Sequence, residues 1–272
     1  MKLKGKVVLI TGGSGGIGKA LALAFANQGA DISICGRDPE ALEKTAAEIR
    51  IKGVKVLSLP ADVGVKEDCE RFIQESLKTF GRIDILINNA GMSMRALFKD
   101  ANLDVIERLM QVNFWGMVYC THYALESLLK SKGTIIGISS IAGHRGLPAR
   151  TGYSASKFAM NGFLEALRTE LLYTGVSVLT VSPGFTQSNI RNTALSGDGK
   201  PQKESPLAEN KIMSAEEVAE AIVKAMLNKK RSLVLTRQGK LTVTLNKILP
   251  GWMDKMVYKH FAAEPDSPLQ KR

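Results

Sequence analysis

The amino-acid sequence predicts an α/β fold: a doubly wound parallel sheet with helices on both faces, followed by a helical extension. Three observations predict it. Short β-branched apolar runs alternate with longer amphipathic stretches along most of the 272 residues. A glycine-rich loop joins the first run to the first amphipathic stretch. The residues with chemistry to offer lie just after a run or on the stretch that follows, where ligands sit in such sheets.

The elements follow in order. Val7 to Thr11 reads as a buried strand, and Gly18 to Gln28 as a helix with Ala20, Leu21, Ala24 and Phe25 on one side. Asp31 to Cys35 is a second strand, Glu40 to Ile51 a helix, Lys55 to Leu59 a third strand and Lys66 to Thr79 a helix. Ile83 to Asn88 is a fourth strand, and one long helical region runs from Leu103 to Lys130. Gly133 to Ser139, Tyr153 to Tyr173 and Val176 to Val181 give strand, helix and strand. Ser214 to Leu227 is another helix, and Ser232 to Leu235 is a candidate seventh strand. Continuous apolar strands between helices imply a sheet buried on both faces, and right-handed crossovers make it doubly wound.

Two stretches break the alternation. Arg191 to Lys211, with Gly197, Gly199, Pro201 and Pro206 among polar residues, reads as a loop or lid. Leu241 to Phe261 resumes helical spacing with an interruption at Pro250-Gly251, and the tail from Ala262 reads as frayed. The expected organisation is a catalytic domain over 1–238, its lid at about 186–213, and an extension over 239–272.

Composition narrows the function classes. At 44% hydrophobic residues the chain can bury one sizeable core. Cys35, Cys69 and Cys120 are odd in number and widely spaced, so neither a disulfide framework nor a zinc site is expected, and a reducing, cytoplasmic setting fits. Three histidines, none in a ligand-like pair, point away from a metal. The Val7–Ile10 run is too short for a leader peptide or a membrane span. A net charge of +11 admits an anionic partner or simply a solvated basic surface. The basic residues are scattered without interleaved aromatics, so nucleic acid is not expected.

The first strand runs into Thr11-Gly12-Gly13-Ser14-Gly15-Gly16-Ile17-Gly18 and then a helix. Glycines permit a tight turn and a close backbone approach, and the helix start offers free N–H groups and a positive dipole end to a pyrophosphate. Its place between strand and helix, ahead of a second strand, raises it above an ordinary glycine turn. After that second strand come Arg37 and Asp38. A guanidinium suits a ribose 2′-phosphate, which favours NADP(H) over NAD(H). The other reading leaves Arg37 as a solvated turn residue and gives the ribose to Asp38.

Tyr153 and Lys157 stand four residues apart, on one face of a helix. A cation near a phenol stabilises the phenolate, and a tunable acid is what carbonyl reduction needs to deliver the proton that accompanies a hydride. On its own such a pair is common on surface helices. Ser139-Ser140 close the fifth strand, Asn88-Asn89-Ala90-Gly91 close the fourth, and Asn113 sits in an apolar helical context.

Together Thr11-Gly12-(x)3-Gly16-x-Gly18, Asn88-Asn89-Ala90-Gly91, Asn113, Ser140, Tyr153-(x)3-Lys157 and Pro183-Gly184 resemble the classical short-chain dehydrogenase/reductase superfamily, in order and at family-like spacing over about residues 5 to 235. The resemblance implies a seven-stranded Rossmann fold and a tetrad of Asn113, Ser140, Tyr153 and Lys157. Ser140 would position the substrate, Tyr153 would be the acid/base, Lys157 would hold the ribose hydroxyls and tune Tyr153, and the Asn113 position would keep a relay water. It also implies cofactor contacts at Gly12, Ser14, Gly16, Ile17 and Gly18. Asp62 and Val63 would flank adenine, Asn89, Ala90 and Gly91 would line the ribose and nicotinamide side, and Pro183, Gly184 and Thr186 would hold the nicotinamide amide. Arg37 matches the basic position of NADP-preferring members. A second basic residue, frequent before the central glycine, is replaced here by Gly15. A homodimer or homotetramer is expected.

The substrate is expected to be a ketone or secondary alcohol in an apolar pocket walled by Met92, Met94, Leu97, Phe98, Leu147 and Phe185. His144 and Arg145 either meet a polar head or lie on a bland surface, the second being preferred. The extension after Gln238, with Lys247, Lys255 and Lys259, resembles the hydroxysteroid-dehydrogenase-like branch. It covers the pocket, joins subunits, or makes weak membrane-surface contact through 239–261. The membrane option goes with a long-chain keto-lipid (ketosphingoid-like) or steroid substrate. A non-catalytic NADP-sensing protein is the contrasting class, against which the intact tetrad speaks.

Overall fold

The computed structural model describes residues 2–186, 190–202 and 212–270. Seven strands form it: β1 (Val7–Thr11), β2 (Asp31–Gly36), β3 (Val56–Pro60), β4 (Ile85–Asn88), β5 (Thr134–Ile138), β6 (Ser177–Ser182) and β7 (Ser232–Val234). They pair in parallel throughout, in the order β3-β2-β1-β4-β5-β6-β7. The order reverses between β1 and β4, which opens a crevice at their C-terminal ends.

Both faces of the sheet are buried because side chains alternate along each strand. Val8 and Ile10 of β1, with Ile136 and Ile138 of β5, pack under α1 (Gly16–Asn27), α2 (Pro39–Arg50) and α7 (Ala215–Leu227). Val7, Leu9 and Ile135 point the other way, into α3 (Lys66–Phe80), α5 (Gly116–Ser131) and α6 (Thr151–Glu170). This is the three-layer arrangement the alternation predicts.

Two local features depart from the sequence reading, and the helix break in the extension follows it. The long 103–130 helix is interrupted: α4 (Leu103–Met110) passes into α5 through a π-helical turn over Gln111–Trp115 that carries Asn113. Such bulges insert a residue and re-aim side chains, and no periodicity argument sees them. The extension begins as α8 (Arg237–Ile248) and continues as α9 (Pro250–Ala262), divided at Leu249 and Pro250. Proline at the first position of α9 fixes that break. Through Gln270, the last described residue, the tail is not frayed, contrary to expectation: Ser267 and Leu269 are buried and Leu269 packs with Met253, Val257 and Phe261 of α9. The Ser267 hydroxyl donates to the Phe261 carbonyl at 2.7 Å, turning the chain back on itself.

Part of the expected lid at 186–213, residues 187–189 and 203–211, lies outside the described residues. Among the described parts, Leu195 forms bridges to Met94 and Pro201, and Thr186 to Met213. Among the described residues no helix is long and apolar enough to cross a membrane.

Candidate active site

A cavity of about 770 Å³ lies beyond the C-terminal ends of the central strands. Its floor is the glycine loop. Gly12 takes a positive φ of 67°. A Cβ on Gly18 would stand 2.0 Å from the Gly12 carbonyl oxygen, so only glycine lets the first turn of α1 close on the strand end. Asn89 staples the loop from β4: its amide donates to the carbonyls of Thr11 at 2.9 Å and Gly12 at 3.1 Å. In return the Thr11 hydroxyl accepts from the backbone of Asn89 and Ala90 at 3.0 Å each.

Gly15 begins α1 without a side-chain cap, and no acidic residue stands in the first turn. The free N–H groups there face the cavity together with Ser14, Gly16 and Ile17. A Cβ on Gly15 would meet nothing within 4 Å, so the loop leaves open space where a pyrophosphate would lie. The residues present therefore fit a dinucleotide. Ala90, Gly91, Pro183, Gly184 and Thr186 continue the same lining. Gly18, Asp62 and Val63 do not line it; Asp62 instead accepts from Gly64 N at 2.9 Å in a tight turn. Arg37 is exposed at the tip of β2, outside the lining, while Asp38 lines the cavity and caps α2 through Glu40 N and Ala41 N.

The chemistry-bearing side chains converge on one wall. Ser140 follows β5 and accepts from Ala142 N at 3.1 Å, opening the turn Ile141–Gly143. That turn packs on α6 closely enough that a Cβ on Gly143 would sit 2.7 Å from the Lys157 carbonyl. Tyr153 and Lys157 project from α6 into the cavity, with Lys157 Nζ 5.8 Å from the Tyr153 ring centroid. Lys157 Nζ donates to the Ile138 carbonyl at 2.9 Å, and its burial pushes it down to about 7. Burial pushes the Tyr153 phenol up, while the Ser140 hydroxyl and the Arg150 charge pull it back. Asn113 stands behind them and outside the lining. Its Oδ1 accepts from Met92 N at 2.8 Å, and its Nδ2 donates to the Met92 carbonyl at 3.0 Å and to Ser156 Oγ at 2.8 Å.

The expected apolar walls are only partly right. Leu147 and Phe185 line the cavity. Met92 and Met94 belong to a packed cluster with Leu109 and Leu195, Leu97 packs against α9, and Phe98 is exposed. Much of the apolar wall comes from the extension: Leu241 and Leu245 of α8, with Met253, Met256, Val257 and Phe261 of α9. His144 and Arg145 lie neither on a bland surface nor at a polar head. His144 Nε2 pairs with Ser182 Oγ at 2.9 Å, and Arg145 reaches Asn246 of α8 at 2.9 Å and Asp254 of α9. They clamp the extension to the sheet.

Sequence reasoning missed Arg150 and Glu264. Arg150 immediately precedes α6, lines the cavity and places its guanidinium 4.6 Å from the Phe261 ring centroid. Its Nη2 donates to both Glu264 oxygens, at 3.2 and 3.1 Å. Glu264 also accepts an ion pair from Arg95 at 3.4 Å. The signal was present as a charged residue three positions before Tyr153, but its partner lies 114 residues away in sequence.

The comparisons with known proteins agree with this geometry. Residues 6–198 match the family model described as short chain dehydrogenase. The chain is 37% identical over 251 residues to 11-beta-hydroxysteroid dehydrogenase-like 4A of Arabidopsis thaliana, covering 92% of this chain and 82% of that one. An alcohol dehydrogenase from Thermococcus sibiricus, solved with 5-hydroxy-NADP, superposes with a TM-score of 0.73 at 28% identity, over 85% of this chain and 95% of that one. An NAD+-bound xylitol dehydrogenase gives 0.75 at 27% identity, over 86% and 99%.

Proposed function

This chain belongs to the short chain dehydrogenase family and is an NAD(P)-dependent oxidoreductase acting on CH–OH groups; from that premise we propose that it interconverts an apolar ketone and its secondary alcohol, with NADP(H) preferred and Tyr153 as the acid/base. The observation that carries the reading is the convergence of Ser140, Tyr153 and Lys157 on the cavity that the glycine loop floors. A bound nicotinamide supplies or takes the hydride at the substrate carbon.

The chain's own residues do the rest. Ser140 Oγ holds the substrate oxygen beside the phenol. In reduction Tyr153 gives its proton to that oxygen, and in oxidation it takes the proton back. Lys157 places an ammonium on the phenolate side, would hold the ribose hydroxyls, and favours the ionised tyrosine. The Asn113 amide is committed to Met92 and Ser156, so its part in a proton relay falls to its backbone position. The free N–H groups of the first turn of α1 would hold the pyrophosphate, and Thr186 with Pro183 and Gly184 the carboxamide. Arg37 pairs with no carboxylate among the described residues, so its guanidinium is available to a 2′-phosphate.

The test is turnover of a ketone panel, including steroid and long-chain keto substrates, followed by NADPH absorbance. Apolar ketones are consumed with NADPH faster than with NADH. Arg37→Ala raises the NADPH Kd by roughly tenfold or more and leaves the NADH Kd nearly unchanged. If no carbonyl is reduced and no alcohol oxidised with either cofactor, the reading fails; equal effects of Arg37→Ala on both cofactors remove the NADP assignment.

A second reading, access to substrate from a membrane surface, is favoured by one observation. Ile248 is 67% exposed and Leu249 50%, at the turn between the two helices that wall the cavity. Lys247 and Lys255 flank them.

A further inference from the structure

Among the described residues, cationic side chains outnumber carboxylates where the cavity meets the start of α6. Among the described residues, the cavity lining carries the acidic side chain of Asp38 and the basic side chains of Arg150 and Lys157; Arg191, which has a partner of its own, also lines it. The one carboxylate among them, Asp38, caps α2 beside the nucleotide loop, away from α6. At the start of α6, Arg150 and Arg95 share a single carboxylate, that of Glu264. Two guanidinium groups against one carboxylate leave one positive charge in excess.

That excess is buried and aimed. Arg150 is 9% exposed and Glu264 5%. Glu264 uses both of its oxygens on Arg150 Nη2, which leaves Nε and Nη1 of Arg150 with no hydrogen-bond partner among the described residues. Arg150 lines the cavity that the substrate would enter. The guanidinium cannot swing out to solvent, because the Phe261 ring covers its face and Glu264 grips its tip. A guanidinium held in place with donors to spare offers a planar fork that matches a carboxylate.

We propose that Arg150 is a substrate-recognition residue that takes a carboxylate, so that the substrate is an oxo acid or hydroxy acid with an apolar chain. Arg150 immediately precedes α6, Tyr153 lies in its first turn, and both line the cavity. The acid therefore lies within a few carbons of the reacting carbonyl. The apolar chain runs along Leu245, Met253 and Val257 of the extension. This inference rests on the carbonyl-reductase reading above and narrows its substrate class.

The test separates the two. Binding of nonanoate and of methyl nonanoate to the NADPH-loaded protein is followed by tryptophan fluorescence, which needs no turnover. Reduction of 4-oxononanoate and of its methyl ester is followed in parallel. Wild-type protein is expected to bind nonanoate at least about tenfold more tightly than the ester, the usual worth of one charge-assisted hydrogen bond. The same preference appears in kcat/KM for the oxo acid, and Arg150→Gln brings acid and ester within about twofold. Equal binding of acid and ester by the wild-type protein overturns the inference without any variant, and so does a preference that survives in Arg150→Gln. Acid-selective binding with neither oxo compound reduced sustains the carboxylate site and sinks the reductase reading. Reduction of the ester as fast as the acid does the reverse.

Discussion

Lys157 shows how a single residue carries both cost and function. Its ammonium is buried with the Ile138 carbonyl as an oxygen acceptor, and burial lowers its proton affinity to about 7. The unfolded chain holds that proton up to the ordinary lysine range, about 10.4. Between these values the unfolded state binds more protons than the folded one, so this group's contribution to stability rises with pH. Below 7 the full cost of burying the charge is present. Lys157→Met should therefore be more stable than the wild type in urea melts of the cofactor-free protein at pH 6. That advantage should shrink by roughly 1.4 kcal/mol per pH unit above 7. A gap that stays constant from pH 6 to 9 would contradict the assignment of the buried charge. At this scale much was legible in advance. Tyr153, Lys157 and Ser140 were found because hydroxyl, phenol and amine fall at strand ends and on one helical face, where period and position are local facts. Arg150 was not, because its meaning depends on Glu264 and Phe261 at the far end of the chain.

Elements position these residues through close approaches that only small residues allow. The turn Ile141–Gly143 carries Ser140 against α6, and a methyl group on Gly143 would meet the Lys157 carbonyl at 2.7 Å and Ser139 Oγ at 2.8 Å. The first of these is backbone and cannot step aside. Gly143→Ala should cost about 1–3 kcal/mol in stability, the usual price of overpacking. It should also lower kcat more than it raises KM, since the turn moves Ser140 relative to Tyr153. Unchanged melting and unchanged kcat would show that the turn has slack. The strands and most helices were legible because continuous apolar runs and a period of 3.6 are written locally. The π-helical turn at Gln111–Trp115, where Asn113 bonds Met92 and Ser156, was not, since one inserted residue leaves no mark on the apolar period. The folded-back tail was not either, because a polar stretch such as Ala262–Leu269 is buried only by long-range ion pairs and the α9 cluster.

The whole molecule is a nucleotide-binding sheet whose substrate side is finished by its own C-terminal extension. The sequence left three places for that extension, and the structure packs it on the core, over the cavity. Its outer edge still presents Ile248 and Leu249 beside lysines on a chain of net charge +11. If that edge meets a membrane, Ile248→Ser with Leu249→Ser should reduce co-sedimentation with anionic vesicles while leaving turnover of a water-soluble ketone unchanged. Equal sedimentation of variant and wild type would remove the membrane reading. The central claim is narrower: Tyr153 moves the proton. Its most direct test is Tyr153→Phe, which deletes one oxygen and keeps the ring among its neighbours. Ketone turnover should fall by roughly 10²–10⁴-fold while the NADPH Kd stays within about twofold of the wild type. Turnover near the wild-type rate in that variant would contradict the account.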